Sequence, residues 1–245
     1  MIDIHNHILP GVDDGSKSQD ISRVLLIDAI NEGISDICIT PHYSRIDNFV
    51  LHKKELLNRF NEFKQANSDL NINLYLGNEL LINKDLDILL KNDELCSLNG
   101  SRYVLVEFPF DRYKSEYDEY LLNITYLGYR IIIAHPERYD YVLDKPEKYI
   151  DRWIDAGYYL QSNQSSFFYQ KRKRFLFDLI ESQKLHFIAS DAHSEHRPLT
   201  LIDGYELVRR KFNEEVADIL FVKNPENVIK DRDIINLPKT KKRLF

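Results

Sequence analysis

Apolar residues along this chain recur in two alternating patterns, one typical of buried strands and one typical of amphipathic helices. The strand pattern consists of short runs rich in β-branched and aromatic residues, as expected for parallel strands that are buried on both faces. These runs lie at residues 2–5, 36–40, 72–77, 103–108, 130–134, 157–161 and 186–190. The pattern therefore predicts seven strands.

Helical periodicity fills the gaps between these strands. Leu25 and Ala29 share the apolar stripe of a helix predicted over residues 18–32, and Gly33 is a natural end for it. Further helices are predicted near residues 48–66, 84–91, 115–126, 146–155, 171–182 and 200–211. Seven strand-then-helix units predict an α/β protein with a parallel, barrel-like sheet and right-handed crossovers.

Length and composition fit one α/β domain over residues 1–245. A barrel of this type takes roughly 250 residues, and residues 213–245 then form an extra helix and a charged tail. The net charge of −6 argues against a nucleic-acid partner, because phosphate-binding surfaces are usually basic. The two cysteines predict no disulfide framework. There is no signal-peptide pattern and no apolar run of about 18 residues, so we expect a cytoplasmic protein without membrane insertion.

Potential metal ligands end, or closely follow, most of the predicted strands. They are His5, His7, Asp14, His42, Glu79, Glu107, His135, Asp191 and His193. In a parallel barrel the carboxyl ends of the strands meet at one face, where function resides. Two pairs, His5 with His7 and Asp191 with His193, are spaced i, i+2, so each pair points to one side of an extended chain. Imidazole and carboxylate together suit Zn, Mn or Fe(II).

Each of these residues also has a purely structural interpretation. A single histidine at a strand end is more often hydrogen-bonded than metal-bound, and a single acid there usually caps the next helix. The convergence of five of the eight histidines with four acids on one predicted face favours a multinuclear metal site. His52, His186 and His196 fall elsewhere. Pro41, Pro109 and Pro136 lie near ligands and are expected to hold the preceding residue extended and to stop the strand.

One other motif matches a phosphatase pattern in form only. Cys96 and Arg102 have the Cys-x5-Arg spacing of cysteine-dependent tyrosine phosphatases. In those enzymes a strand leads into the cysteine and the arginine opens a helix, which lowers the pKa of the thiol. Here a helical stretch precedes Cys96 and a strand follows Arg102, so a cysteine mechanism is not expected.

Five short motifs resemble those of the PHP (polymerase and histidinol phosphatase) superfamily. They are HNH at 5–7, TPHY at 40–43, GNE at 77–79, AHPE at 134–137 and SDAH at 190–193. The opening IDIHNHILPGVDDGS, EFP at 107–109, AHPER at 134–138 and the Arg197-Pro198 pair are most similar to one branch. That branch comprises the bacterial manganese-dependent protein-tyrosine phosphatases linked to capsule and exopolysaccharide synthesis. The resemblance implies a distorted (β/α)7 barrel.

The resemblance also implies three metal ions and their ligands. His5, His7, Glu79 and Asp191 would hold the first ion. Glu79 would bridge to a second ion that Glu107 and His135 complete. Asp14, His42 and His193 would hold the third. Manganese is the expected metal, with iron and zinc as alternatives. The family pattern favours Asp14 over Asp13 as ligand, and it commonly has cysteine where this chain has Asn6.

The implied reaction is hydrolysis of phosphotyrosine by a metal-bridging hydroxide that attacks phosphorus in line. Arg138 and Arg197 are the candidate phosphate-binding residues, because guanidinium groups match phosphoryl oxygens bidentately; a surface salt bridge is the alternative for each. The expected substrate is the tail of a bacterial tyrosine autokinase that controls capsular synthesis. Small-molecule phosphatase activity, such as on histidinol phosphate, is the main alternative. A nuclease and a non-catalytic regulator with a structural metal core are less favoured.

Aromatic residues after the fourth and sixth predicted strands offer a surface for a tyrosine ring. They are Phe110, Tyr113, Phe167, Phe168 and Tyr169. They can line a rim that stacks the ring of a substrate. Packing on the outside of the barrel, or an oligomer contact, is an equally good interpretation, and the oligomeric state is left open.

Overall fold

The structure is a computed structural model that describes residues 1–239. Within this range the chain forms strands that pair in parallel throughout. The strands are β1 (Ile2–Asp3), β2 (Asp36–Ile39), β3 (His42–Tyr43), β4 (Asn73–Leu76), β5 (Glu79–Leu81), β6 (Tyr103–Glu107), β7 (Arg130–Ala134), β8 (Tyr159–Asn163) and β9 (Phe187–Ala189). They form one sheet of order β1-β2-β4 and a second of order β3-β5-β6-β7-β8-β9.

The two sheets separate at two places where a predicted strand ends and the chain soon forms a further short strand. Residues 36–40 and 72–77 were each expected to form one strand, but the chain resumes as β3 after Pro41 and as β5 after Asn78. Proline has no backbone N–H for the ladder. Asn78 fills the gap, because its Nδ2 donates to the carbonyl of Pro41 at 3.0 Å and its Oδ1 accepts from the backbone of Cys96 at 2.9 Å.

The two sheets also meet beyond the ends of β1 and β9. A single parallel bridge joins Asn6 to Ala192. The backbone N–H of His7 donates to Ala192 at 2.7 Å, and that of Asp191 donates to His5 at 2.8 Å. In residues 1–239 no continuous ladder closes β1 onto β9. The architecture is thus α/β with two parallel sheets, and regular closure into the expected barrel is not observed.

Helices follow nearly all strands, as the periodicity predicts. They are α1 (Gln19–Asn31), α2 (Lys53–Ala66), α3 (Leu86–Lys91), α4 (Glu116–Tyr126), α5 (Asp140–Asp144), α6 (Pro146–Asp155), α7 (Gln170–Glu181), α8 (Ile202–Lys211), α9 (Glu214–Asp218) and α10 (Asn224–Ile229). The side chain of Ser18 accepts from the backbone of Ile21 and caps α1, and Gly33 follows that helix with a φ of +80°. No helix in residues 1–239 is both long and apolar enough to cross a bilayer.

The helices differ from the predictions in three places. The second helix begins at Lys53 rather than near residue 48, because residues 44–49 form a turn closed by hydrogen bonds between Ser44 and Phe49. Helix α5 was not predicted. The expected extra C-terminal helix consists of α9 and α10 joined by a π turn over Ile219–Lys223. Residues 240–245 of the expected charged tail lie outside the described residues.

The strands are buried on both faces, as their composition predicts. On β6, Val104 faces the core shared with the helices, and Leu105 faces a smaller core between the sheets. Val228 and Ile229 of α10 pack against this smaller core. The hydroxyl of Tyr103, at the start of β6, donates to the backbone of Arg232 at 2.7 Å. The C-terminal segment therefore covers the amino ends of the strands and leaves their carboxyl ends for the site.

Candidate metal centre

All nine predicted ligands lie at the carboxyl-end edge of the strands. His5 and His7 follow β1, and Glu107 ends β6. His42 and Glu79 lie just beyond the carboxyl ends of β2 and β4, where they open the short strands β3 and β5. The loop after His7 carries Asp14, and the other three, namely His135, Asp191 and His193, follow β7 and β9. Seven of the nine are buried, His42 is partly buried and Asp14 is exposed. The sequence therefore located this concentration of imidazole and carboxylate groups correctly.

Glu79 lies at the middle of the cluster and is fully buried. Its Oε2 is 3.1 Å from His5 Nε2, 3.2 Å from His7 Nε2 and 3.1 Å from His42 Nδ1. Its Oε1 is 2.8 Å from His135 Nε2. A single carboxylate thus contacts four imidazoles, which is the arrangement expected of a bridging ligand.

Three groups of side chains could each hold a metal ion in the described residues. They are His7, Asp14, His42 and His193; His5, His7 and Glu79; and His42, Glu79 and Glu107. Within each group the ligand atoms lie within 4.8 Å of one another. These groups overlap with the three implied ligand sets but place His7 and His42 in two groups each. The assignment of individual ligands to ions stays a prediction.

Asp191 connects the metal-ligand cluster to the two candidate arginines. Its Oδ1 lies 3.6 Å from His5 Nε2 and 3.5 Å from His7 Nε2. Its Oδ2 accepts from Arg138 Nη1 and Arg197 Nη2, each at 2.7 Å. Each arginine therefore forms an ion pair, as the alternative of a surface salt bridge predicts. The shared partner, however, is the buried ligand candidate Asp191 and not a surface acid. Asp191 thereby fixes the guanidinium groups beside the cluster.

The adjacent acids Asp13 and Asp14 have different roles. The exposed Asp14 carboxylate lies 3.5 Å from His193 Nε2 and 3.6 Å from His42 Nε2. The Asp13 carboxylate is buried, and its Oδ2 contacts His7 Nδ1 at 2.8 Å. A carboxylate on the outer nitrogen of an imidazole leaves the other nitrogen, here Nε2, free to bind metal. Asp14 is thus the ligand candidate, and Asp13 orients His7 rather than only forming a turn.

Strand β8 supplies no ligand candidate, but its amides hold two of them. Gln161 Oε1 contacts His5 Nδ1 at 2.8 Å, and Gln161 Nε2 donates to Asn163 Oδ1 at 3.0 Å. Asn163 Nδ2 donates to Asp191 Oδ2 at 2.6 Å. No site residue was predicted on this strand from the sequence. The alternation of Gln161 and Asn163 on a strand beside ligand-bearing strands was the available signal.

Two ligand candidates adopt a strained backbone conformation. His135 has a φ of +34° and Asp191 a φ of +54°. Left-handed conformations of residues other than glycine persist where the surroundings hold them, and they concentrate at functional sites. For His135 the expected extended conformation before Pro136 is therefore wrong. The turn instead directs the imidazole toward Glu79.

Burial and the close contacts between charged groups shift the pKa values of the cluster. Burial lowers the pKa of His5, but the carboxylates of Glu79 and Asp191 outweigh it and raise that pKa to about 9. Burial also lowers the pKa of His42, but the carboxylates of Glu79 and Glu107 outweigh it and raise that pKa to about 10. Burial, together with Arg138, lowers the pKa of His135 to about 4. Burial and the neighbouring Glu79 carboxylate raise the pKa of Glu107.

The donor set fits divalent cations. Glu79 Oε2 and His42 Nδ1 are buried and have no hydrogen-bond partner within residues 1–239, although they lie 3.1 Å apart. Buried polar atoms are normally hydrogen-bonded, and unpaired ones require a cause. A bound cation would satisfy the lone pairs of both atoms. The mixture of imidazole and carboxylate ligands suits Mn, Fe or Zn better than calcium.

A cleft of about 400 Å³ opens directly over the cluster. Its floor includes His42, Glu107 and His193, and Arg138 and Arg197 form one side. Phe49 stacks on the His42 ring with the centroids 6.0 Å apart, and Phe110 lies 4.8 Å from the guanidinium of Arg138. The cleft therefore offers metal ligands, cationic groups and aromatic rings together.

The predicted aromatic rim is confirmed only in part. Phe110 lines the cleft over the cluster, but Phe167 is buried, and Tyr113 packs against Phe108 at a centroid distance of 5.1 Å. Phe168 and Tyr169 are exposed and line a neighbouring cleft. Phe49 was missed, because it lies in a turn that the sequence assigned to a helix.

The cysteines take no part in this site. Cys96 is buried, and burial raises the pKa of its thiol to about 11. Arg102 pairs with Asp231 and Asp233 at the opposite end of the sheets. Burial also raises the pKa of Cys38. Both thiols are therefore protonated at neutral pH, in agreement with the rejection of a cysteine mechanism.

The fold and the centre define a parallel α/β protein with a metal-binding cluster of the kind that metal-dependent hydrolases use. Residues 1–230 match the family described as capsular polysaccharide synthesis, CpsB/CapC. The chain belongs to the CpsB/CapC family, which confirms the resemblance that its motifs carry.

Individual relatives agree with this assignment. The chain is 33% identical over 246 residues to the tyrosine-protein phosphatase CpsB of Streptococcus pneumoniae, with 95% of this chain and 99% of that protein covered. It superimposes with a TM-score of 0.91 and 28% identity, over 99% and 100% of the two chains, on one of the crystal structures of YwqE from Bacillus subtilis and CpsB from Streptococcus pneumoniae, described as unique metal-dependent tyrosine phosphatases. A histidinol phosphate phosphatase from Lactococcus lactis shares the fold, with a TM-score of 0.57, 18% identity and 90% and 94% coverage.

Proposed function

We propose that this chain is a metal-dependent phosphatase that hydrolyses phosphotyrosine in proteins. The cleft over the cluster carries the proposal, because it places Arg138, Arg197, Phe49 and Phe110 around a set of metal ligands. Guanidinium groups recognise a phosphate, and aromatic rings recognise the phenyl group that bears it. The family relation and the names of the relatives support the same activity.

The metal centre is proposed to hold three manganese ions, with iron or zinc as substitutes. Seven of the nine ligand candidates form three overlapping groups, which support this number. Bound divalent ions would supply a water of lowered pKa and positive charge for the phosphoryl oxygens. Asp13, Gln161 and Asn163 would keep the ligands in place, because each contacts a ligand candidate from outside the cluster.

The two arginines are proposed to bind the phosphoryl group and to stabilise the charge on its equatorial oxygens. Arg138 lies between Asp191 and the ring of Phe110, so its guanidinium plane is fixed before substrate arrives. Arg197 lies against the same carboxylate oxygen. The tyrosine phenolate, with a pKa of about 10, leaves more readily than a serine alkoxide. The reaction therefore needs less help from a general acid.

The substrate is proposed to be a phosphotyrosine protein of capsular or exopolysaccharide synthesis, namely the tail of a bacterial tyrosine autokinase. A cytoplasmic location would place the enzyme with such a kinase. The sheets are proposed to form the wall of a distorted (β/α)7 barrel within one domain over residues 1–245, in which the bridge between Asn6 and Ala192 joins β1 to β9. The oligomeric state stays open.

The test is a phosphatase assay on metal-stripped protein with Mn²⁺ added back. Phosphotyrosine peptide, phosphoserine peptide and histidinol phosphate are offered side by side. A manganese-dependent preference for the phosphotyrosine peptide is the expected result. Preference for histidinol phosphate would instead favour the small-molecule alternative, and no turnover of any of the three would contradict the proposed activity.

A further inference from the structure

A second cleft adjoins the cleft over the metal-ligand candidates. Its volume is about 450 Å³, and it is lined by the connection between β8 and α7, by the start of α7 and by residues 196–200. Arg138 and Arg197 line both clefts, so the two share one wall. Any group in the second cleft is therefore a direct neighbour of a group bound over the metal ligands.

The second cleft has an excess of positive charge. Among the described residues its one carboxylate is Asp191, whose Oδ2 already accepts from Arg138, Arg197 and Asn163. Arg172, in the first turn of α7, is partly buried. In the described part of the chain it has no carboxylate partner and only lies over the Tyr169 ring, 5.3 Å from its centroid. An uncompensated guanidinium in a cleft favours an anionic ligand.

A buried hydrogen-bond donor in the same wall has no acceptor. Gln164 is only 2% exposed, and its Nε2 lacks a hydrogen-bond partner within residues 1–239. The Gln164 side chain packs closely against the backbone of Gly204, where an added Cβ would lie 2.7 Å from its Cγ. The wall around it is fixed by the buried Glu137, whose Oε1 accepts from Asn163 N at 2.7 Å and from Ser166 Oγ at 3.0 Å. The wall of the cleft is thus preformed, and it contains a buried donor that lacks an acceptor in the described residues.

We propose that this second cleft is a substrate subsite for an anionic side chain, carboxylate or phosphate, that lies close to the phosphotyrosine in the protein chain. The inference rests on the proposed function. Arg172 and Gln164 bind the anion, and the exposed rings of Phe168 and Tyr169 cover the stem of its side chain. Because the clefts share a wall and an extended chain advances about 3.3 Å per residue, the anionic residue lies within about three positions of the phosphotyrosine.

The experiment compares phosphotyrosine peptides that differ at one flanking position. Glutamate, glutamine and phosphoserine are placed in turn at each position within about three residues of the phosphotyrosine. With the manganese-loaded protein we expect kcat/KM to be about tenfold higher for glutamate than for glutamine at one or two of these positions. The phosphoserine peptides show whether a phosphate serves better than a carboxylate at the same position.

Two variants of the same helix separate the subsite from general charge. Arg172→Gln is expected to reduce the glutamate-to-glutamine ratio to about one. Arg174→Gln, which removes an exposed arginine outside the cleft, is expected to keep the full ratio. Absence of any preference in the unaltered protein, or its persistence in Arg172→Gln, would overturn the subsite. Hydrolysis of the glutamine peptide tests the proposed function separately, and its absence would overturn both proposals.

Discussion

At the scale of single residues, Asp191 links the two halves of the site. One of its oxygens faces three imidazoles, those of His5, His7 and His193. The other oxygen accepts from both arginines and from Asn163. The positions of the proposed metal ligands and of the proposed phosphate-binding arginines are therefore coupled through one carboxylate, whose residue has a left-handed backbone conformation.

Replacement of Asp191 should thus affect more than metal content. Asp191→Asn keeps the shape but removes the charge that both arginines and the imidazoles share. We expect a decrease in kcat/KM for phosphotyrosine peptide of about 10³-fold or more, because loss of one preorganised electrostatic group alone costs about 10²–10³-fold. Steady-state kinetics and bound manganese are measured together. Asp203→Asn, at an exposed position of α8, is the control. Equal effects of the two substitutions would refute the role of Asp191 in linking the two halves of the site.

The amide of Gln161 offers a milder test. It contacts His5 from outside the cluster, so Gln161→Ala frees the orientation of that imidazole. Loss of such a partner typically lowers metal affinity or activity by about 10–100-fold, and we expect a decrease in manganese affinity in this range. Metal titration of the stripped protein measures it. Gln170→Ala, at the exposed start of α7, should leave the affinity unchanged; an unaltered affinity in Gln161→Ala would show that the contact has no positioning role.

Phe110 should contribute to binding of the tyrosine ring. Its side chain is about half exposed in the cleft and lies over Arg138. Aromatic contacts of this kind contribute about 0.5–1.5 kcal/mol, so Phe110→Ala should raise KM for phosphotyrosine peptide by about two- to tenfold with a smaller change in kcat. Tyr126→Ala, which removes an exposed ring on α4, serves as the control. An unchanged KM in Phe110→Ala would exclude ring stacking at this position.

Site residues differ in how far the sequence predicts them. His5 and His7, or Asp191 and His193, stand out because two potential ligands spaced i, i+2 at a strand end face the same side of the chain. Phe49 has no such pattern, and its role arises from a turn that brings it onto His42. Asp13 and Asp14 have the same chemistry and adjacent positions, so only geometry separates a ligand from the residue that orients His7.

At the scale of elements, most helices were predicted to within a few residues because each buries an amphipathic stripe, but the short α5 was missed. The interruption of two strands was not predicted. Pro41 and Gly77 were read as strand ends, yet the backbone continues in the second sheet through β3 and β5. This interruption places His42 and Glu79 side by side as the first residues of paired strands. Pairing of that kind depends on partners distant in sequence, which local patterns do not contain.

The loop between β1 and α1 depends on close packing at Gly15. A Cβ there would lie 2.0 Å from the carbonyl oxygen of His7. Gly15→Ala must therefore shift the loop that carries Asp13 and Asp14. Overpacking typically costs about 1–3 kcal/mol, and each kcal/mol lowers Tm by about 2–4 °C in a protein of this size.

Thermal unfolding and bound manganese are measured for this variant and for Gln19→Ala, an exposed change at the start of α1. We expect Gly15→Ala to lower both Tm and metal content, because Asp14 moves away from His42 and His193. A variant with unchanged Tm and metal content would show that the loop adapts without disturbing the cluster.

At the scale of the whole molecule, the two ends of the sheets have separate tasks. The segment with α9 and α10 covers the amino ends, where Val228 and Ile229 complete a small apolar core. The carboxyl ends carry the imidazole and carboxylate ligand candidates, which come from six strands or their following loops. Packing of α10 therefore stabilises the fold at the end opposite the candidate site. The carboxyl ends can then carry side chains whose like charges repel one another.

Metal binding should consequently stabilise the entire domain. Ligands from distant parts of the sequence converge only in the folded chain, so ions bind the folded state and not the unfolded one. At a free manganese concentration of about 100 times Kd the gain is about 2.7 kcal/mol, which corresponds to an increase in Tm of about 5–10 °C. Differential scanning calorimetry of stripped protein, with Mn²⁺ or Ca²⁺ added, measures it. Because five of the nine ligand candidates are imidazoles, Mn²⁺ should stabilise more than Ca²⁺, and Asp191→Asn should lose most of the shift. Equal stabilisation by the two ions, or none by either, would contradict a centre built from these ligands.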